Sequence, residues 1–206
     1  MEQKKLSVVV IDVSEAWEEM LKAHEYGYLL DWDYLDRKWC NVSQKIPLSP
    51  LEIDYPYGTA RAGFNAITDT IRIAHSLGHT IYATSFYTGW TDGEEQPCYS
   101  LRSYIPKENI FDKGDYSAFS SKEFTARMEA EKQHEVMIIG YDRDCCVLET
   151  IKDAVSRGMK VVTSEQVMLT KNNRGTREES LRYFKENTIF LEELVDVWNY
   201  FYPSQK

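Results

Sequence analysis

Four cysteines and four histidines are all that the 206 residues offer to a soft metal. Cys40, Cys98, Cys145 and Cys146 lack metal-ligand spacing and form no disulfide ladder. Structural zinc and a disulfide-stapled scaffold are therefore excluded, and a reduced, cytoplasmic protein is expected. No apolar run approaches the roughly 20 residues of a bilayer span. The first such run, Leu6 to Ile11, is cut off by Asp12 and is too short for a signal peptide, so no membrane partner is expected. Basic residues are outnumbered by acidic ones, 24 to 33, and the net charge is -9. A nucleic-acid surface needs the opposite balance, so no nucleic-acid partner is expected either. The fingerprint G-x-G-x-x-G is missing after the first apolar run, which removes the motif of a dinucleotide site; no cofactor is expected. Repeats, low-complexity tracts and a composition shift are also missing, so residues 1-206 read as a single domain.

What is present is an ordinary globular composition, 43% hydrophobic and 28% charged. The stretch around which the rest is arranged is EVMIIGYDRDCCVLETIKDAVSRGMKVVT, residues 135–163. Val136 to Ile139 has the continuous apolar character of a buried parallel strand, and Gly140 ends it. Cys145 or Cys146 then opens a helix with Val147, Leu148, Ile151, Ala154 and Val155 on one stripe. Arg157-Gly158 closes that helix with a cation and a glycine stop, and Met159 to Thr163 begins another strand. A cysteine thus sits where a strand hands over to a helix N-terminus. Free N–H groups and positive potential there can lower a thiol pKa and hold an oxyanion. The competing reading is a pair of small buried hydrophobes.

Elsewhere strands and helices alternate. Leu6 to Ile11 predicts a buried strand ending in Asp12. A carboxylate there is costly unless paired, and that end of a parallel sheet is where ligands bind. Ser14 is the better cap for the helical pattern that begins beside it, which favours a functional Asp12 over a capping one. Trp17, Leu21, His24, Tyr28, Trp32, Leu35 and Trp39 recur at helical spacing, broken at Gly27 into two helices, with His24 a packed histidine. Residues 41–58, with Pro47, Pro50, Pro56 and Gly58, read as a loop. Thr59 caps a helix to Leu77 with Phe64, Ile67, Ile71 and Ala74 buried and Gly78 as its stop; His75 and His79 flank that stop as helix-end cations. Thr80 to Phe86 is a strand, Tyr87 to Lys107 a loop, and Asn109 to Asp112 a short strand. Ser120 or Ser121 caps a helix to Gln133. After 159–163 come the polar segment KNNRGTREES, a helix over 176–186, a strand at 188–191 and a last helix. The alternation implies an α/β chain: a three-layer α/β/α, Rossmann-like fold around a central parallel sheet of about six strands.

Three segments stand in a telling order: VVVIDVSEAW, KGDYSAF and GYDRDCCVLETIKDAVSRGMKVV. They resemble the opening strand with D-x-Q-x-x-F, the lysine segment K-x-x-x-S-A-F and the G-x-x-T-x-x-C-V segment of the isochorismatase-like cysteine hydrolase superfamily. That group includes nicotinamidases, N-carbamoylsarcosine amidases and ureidoacrylate amidohydrolases. The resemblance implies a catalytic triad of Asp12, Lys113 and Cys146, selecting Cys146 rather than Cys145 as nucleophile. It also implies an oxyanion hole from the backbone N–H groups of Asp142 and Cys146, and a cis Tyr141-Asp142 peptide. Lys113 and the helix start are expected to favour the thiolate, with Asp12 relaying the proton. The implied activity is cleavage of an amide or ureide C–N bond of a small molecule through a thioester, by a homo-oligomer. Trp17, Tyr116, Tyr141 and Arg143 are the candidate substrate-binding side chains. Ser14, Trp17 and Arg143 depart from the family's glutamine, phenylalanine and common threonine. Arg143 is expected to favour an anionic or carbonyl-rich substrate, against the reading of a surface arginine paired with Asp142 or Asp144. Nicotinamidases hold a metal with an Asp and His cluster after the second strand. Here that place reads SFYTGWTDG, without histidine, so no metal is expected. The alternative is a member of the fold that has lost turnover and acts as a binding or scaffold protein.

Overall fold

The computed structural model describes residues 5–13, 30–33, 38–41, 53–54, 57, 60–86, 99–171 and 177–202. Its strands are β1 (Ser7–Ile11), β2 (Leu30–Asp33), β3 (Lys38–Asn41), β4 (Ile53–Asp54), β5 (Thr80–Phe86), β6 (Ile110–Lys113), β7 (Glu135–Tyr141), β8 (Lys160–Thr163), β9 (Met168–Lys171) and β10 (Ile189–Phe190). The helices are α1 (Ala60–Ser76), α2 (Tyr99–Arg102), α3 (Lys122–Ala130), α4 (Leu148–Ser156), α5 (Arg177–Asn187) and α6 (Leu194–Asn199). The main sheet runs β10-β8-β7-β1-β5-β6, every neighbouring pair parallel. This is the expected α/β architecture with its parallel six-strand path. From β1 the chain proceeds outward through β5 to β6, then returns to the other flank of β1 at β7 and continues outward through β8 to β10. The order reverses between β1 and β7, which is where parallel sheets open a crevice at their C-terminal ends.

Each central strand is buried on both faces because its side chains alternate between two cores. Val8 and Val10 of β1 join Met137 and Ile139 of β7 on one side, packed by Phe64, Ile67, Ile71 and Ala74 of α1. Val9 and Ile11 join Val136 and Ile138 on the other, with Phe124 and Met128 of α3 and Ile151 and Ala154 of α4. The helical stripes thus bury where their spacing predicts. Both glycine stops also form. Gly78 and Gly158 adopt positive φ, and His79 N–H donates to the Ala74 carbonyl as Met159 N–H does to that of Ala154. That six-residue closure satisfies carbonyls that the helix end leaves open. His79 is not a mere helix-end cation. Its buried ring accepts from Leu6 N–H and donates to the Phe201 carbonyl, tying the start of β1 to the chain's last described residues.

Three expectations need correction. The helical spacing read through Trp32, Leu35 and Trp39 does not produce a helix there: β2 and β3 pair antiparallel, with Trp32 opposite Trp39. The β-forming residues of 30–33 and 38–41 satisfy a strand as well as a helix, and the pairing partner decides; Leu35 lies outside the described residues. The upstream part of that stripe, with Trp17 and His24, lies outside the described residues. The loop 41–58 contains β4, whose Ile53 and Asp54 pair with Lys171 and Thr170 of β9. β9 itself is absent from the expected elements, yet it pairs with the end of β7 through Gly140 and Tyr141.

Candidate active site

Three strand ends bring the site together. β1 stops at Ile11, and Asp12 comes next with φ 50, its N–H donating to the Thr84 carbonyl of β5. β6 ends at Lys113, in register with Phe86. β7 carries Gly140 opposite Ile11 and then turns through Tyr141 and Asp142. The Tyr141-Asp142 peptide is cis, as the family resemblance implies. Gly140 has φ 126, and a Cβ there would lie 2.2 Å from the Ile11 carbonyl oxygen. Only glycine allows β7 to approach β1 this closely at the point where the chain leaves the sheet.

Lys113 is fully buried, and its Nζ lies 3.0 Å from Asp12 Oδ2. The ammonium also donates to the carbonyls of Asp115 and Tyr116, each at 3.2 Å. A buried ammonium is tolerated only when paired and hydrogen-bonded, and the KGDY segment folds back to supply the acceptors. The Cys146 thiol meets the Asp12 carboxylate and feels the charge of Lys113. Asp12, Lys113 and Cys146, more than a hundred positions apart in sequence at the extremes, therefore converge at the C-terminal edge of the sheet.

The thiol's protonation differs from expectation. Burial pushes the Cys146 pKa well above the ordinary thiol range, and the negative charge and hydrogen bond of Asp12 push it further; Lys113 opposes them without prevailing. The physical reason is burial first and then the close Asp12–Lys113 pair. The cation that would favour a thiolate is already neutralised by a carboxylate that disfavours one. Both effects favour the protonated thiol of Cys146 over the thiolate.

The turn holding Cys146 is wider than a simple helix start. Arg143–Val147 forms a π-type turn before α4, closed by Val147 N–H donating to the Asp142 carbonyl, which also accepts from Cys145 N–H. The Asp142 side chain caps it, accepting from Asp144 N–H. Arg143 does not offer its fork to a substrate, which corrects the expectation for this residue. It is only 2% exposed, binds both oxygens of its neighbour Asp144 at 2.8 and 2.7 Å, and donates to Glu165 Oε1 at 2.7 Å. The pairing with Asp144 was the alternative reading, but it is internal rather than on the surface. For Asp144, burial would raise the carboxyl pKa. Hydrogen bonds and charge from Arg143, with the Ser180 and Thr170 hydroxyls, outweigh burial and hold it below the usual range.

Among the other candidates, Tyr116 is 52% exposed beside the lysine segment, and Tyr141 packs partly buried on the α1 side of the sheet. Trp17 lies outside the described residues, as does the stretch 87–98 that covers most of SFYTGWTDG. Among the described residues no cluster of three or more His, Cys, Asp or Glu side chains could hold a metal, and no helix is long and apolar enough to cross a membrane.

Residues that sequence reasoning passed over also hold the site. Thr150, fully buried in α4, donates to the Cys146 carbonyl at 2.7 Å and accepts from Ala118 N–H at 3.0 Å. One hydroxyl thereby ties the Cys146 turn to the SAF end of the lysine segment. Thr170 of β9 donates toward Asp142 and Asp144, and Glu165 receives Arg143, Arg177 and Tyr57. A threonine four residues past Cys146, able to bond back to its carbonyl, was the legible signal for Thr150. Nothing local marks Glu165.

Comparison with known proteins agrees with this fold. The Isochorismatase domain family matches residues 59–192. A curated relative, an uncharacterized isochorismatase family protein PncA of Bacillus subtilis (strain 168), is 28% identical over 83 residues, covering 40% of this chain and 45% of that protein. The matched part is thus less than half the length of that relative. An isochorismatase-like hydrolase from Alkaliphilus metalliredigens superposes with a TM-score of 0.62 at 15% identity, covering 97% of this chain and 100% of the other. The nicotinamidase PncA from Bacillus subtilis gives 0.59 at 16% identity, covering 92% and 100%. At such identities the likeness is one of fold. The family match, however, takes in more than half of the sequence, including Lys113 and the whole Cys146 turn, and on it the chain belongs to the isochorismatase family.

Proposed function

We propose that the chain is a cysteine-dependent amidohydrolase cleaving the C–N bond of a small amide or ureide. The observation that carries this reading is the buried Asp12–Lys113 pair set against the Cys146 thiol at the sheet's switch point. Buried ion pairs contribute little net stability, so a pair placed at a thiol calls for a chemical role. The names of the solved relatives, a hydrolase and a nicotinamidase, agree with it.

In this mechanism the thiol passes its proton to Asp12 as sulfur bonds to the carbonyl carbon, and the carbonyl π electrons move to oxygen. The backbone N–H groups of Asp142 and Cys146 hold that oxyanion. Collapse breaks the C–N bond, and Asp12 protonates the departing amine. Water then attacks the thioester, giving a proton to Asp12, which returns it to sulfur as the acid leaves. Lys113 keeps Asp12 ionised at rest and anchored in direction. The resting thiol suits this scheme, because the proton moves only when a carbonyl is present to receive the sulfur. The reading includes no metal and no cofactor, a small-molecule partner and a homo-oligomer.

The test is ammonia release from a panel of amides and ureides by wild type, Cys146→Ala and Asp12→Asn. Turnover abolished in both variants and retained in Cys145→Ala is expected. Wild-type protein that releases nothing from any of them, while staying folded, would favour the scaffold reading, which the sequestered Arg143 otherwise supports. Dialysis against a chelator should leave the rate unchanged; a stoichiometric metal lost together with activity would contradict the metal-free scheme.

A further inference from the structure

We propose that Glu165 is a positioning residue for the nucleophile, acting through Arg143 on the turn that carries Cys146. The inference rests on the cysteine-hydrolase reading. Glu165 comes after β8, on a short 3-10 turn spanning Glu165–Val167, and is 3% exposed. Its Oε1 accepts from Arg143 Nη1 and Arg177 Nε, both at 2.7 Å. Its Oε2 accepts from Arg177 Nη2 at 2.9 Å and from the Tyr57 hydroxyl at 3.0 Å. A carboxylate so buried is a fixed point rather than a surface partner.

Arg143 creates the need for it. A neutral side chain at this position would need no counter-ion. An arginine does, and its fork is already set on Asp144, within the same turn. Without a second anion from outside, the Arg143–Asp144 pair would be internal to the turn and would not fix it to the sheet. Glu165 is that outside anchor. Thr170 adds a weaker one, its single hydroxyl hydrogen shared between Asp142 at 2.9 Å and Asp144 at 3.0 Å. The segment thus fastened begins at Asp142 and reaches Cys146, so the aim of the sulfur relative to Asp12 and Lys113 depends on it. Arg177, whose side chain is half exposed, and Tyr57 close the clamp from the outer side.

The experiment reads the alkylation of Cys146 by iodoacetamide against pH, by tandem mass spectrometry, in a Cys145→Ala background, which isolates the thiol facing Asp12 and Lys113. Glu165→Gln, Glu165→Asp and Arg177→Gln are compared, with kcat and KM on any amide found to turn over. Loosening the turn lets water reach the sulfur and moves it away from Asp12, so in Glu165→Gln the alkylation profile should shift down toward an ordinary thiol, ~8.5. For the same variant kcat should fall about tenfold or more while KM stays within about threefold, since misplacement of a reacting atom costs rate more than binding. Glu165→Asp, keeping the charge, should restore both readouts most of the way. A folded Glu165→Gln protein with the wild-type profile and kcat would overturn the proposal, as would a Glu165→Asp protein no better than Glu165→Gln. If Glu165→Gln shows no cooperative melt, Arg177→Gln, which removes only the outer arm, decides: a smaller downward shift supports the clamp and an unmoved profile ends it. If wild type turns over no amide, the hydrolase reading fails, and the alkylation arm still reports on the clamp.

Discussion

Cys146 combines two properties usually found apart: it is buried, and it stands beside a carboxylate and an ammonium that are paired with each other. Its pKa is raised, so the folded state keeps a proton that the unfolded chain loses near ~8.5. By linkage the associated stability is present below that pH and is lost as pH climbs toward the folded value. Urea midpoints should therefore fall between about pH 8.5 and 10, and Cys146→Ser, whose hydroxyl does not titrate there, should flatten the fall. An unchanged slope in the variant would mean that the thiol titrates like an exposed one. Asp144 behaves in the opposite sense. Its carboxyl is held low, so its contribution is present above the unfolded value of about 3.9 and disappears as pH drops through the folded one. Asp144→Asn should be less sensitive to acid yet less stable at pH 7 by about 3 kcal/mol, because Arg143 loses a buried partner. Chemical denaturation at pH 3 and 7 checks both halves. Asp12 and the Cys145-Cys146 pair were legible because each comes after a recognisable strand, whereas Lys113 and the choice of Cys146 came from the family resemblance. The thiol's protonation was not legible, since it depends on burial and on how close Asp12 and Lys113 lie to each other.

At the scale of the element, the strand–turn–helix unit from Glu135 to Ser156 does most to build the site. Gly140 lets β7 run against β1, and adding a methyl group would drive it into the Ile11 backbone. Gly140→Ala should lose about 3 kcal/mol or more, since overpacking and an unfavourable φ add; thermal melting measures it, and a loss under about 1 kcal/mol would show that the strands can part. Thr150 tests the join between this unit and the lysine segment. Thr150→Val keeps the shape but leaves the Ala118 N–H without that acceptor, a cost of about 1–3 kcal/mol. If Val is neutral there, the hydroxyl bridge is dispensable. The helix stripe, the glycine stop at Gly158 and the strand were all readable from periodicity, because each is specified by neighbours within a few residues. The π-type turn was not, because its width depends on Asp142, Arg143 and their partners on β9 and beside Glu165.

For the whole molecule, the order β10-β8-β7-β1-β5-β6 makes β1 and β7 the most protected strands, each flanked on both sides and buried on both faces. Amides of Val8 to Ile11 and Val136 to Ile139 should exchange last with deuterium, near the global unfolding free energy, and those of β10 and β6 earlier; β1 exchanging with the edges would contradict the switch-point assignment. Local patterning is enough to specify the alternation of strand and helix, the two apolar faces of each central strand, the helix stops, and the order in which Asp12, Lys113 and Cys146 appear. Short-range sterics and burial enforce those features wherever the segment is placed. Long-range contacts, by contrast, make residues 30–33 and 38–41 pair as a hairpin and join β9 to the end of β7. They alone bring Glu165 onto Arg143. Strand pairing and the buried Arg143–Glu165 pair both join groups distant in sequence, and their energies depend on a partner and a dielectric that no local window contains.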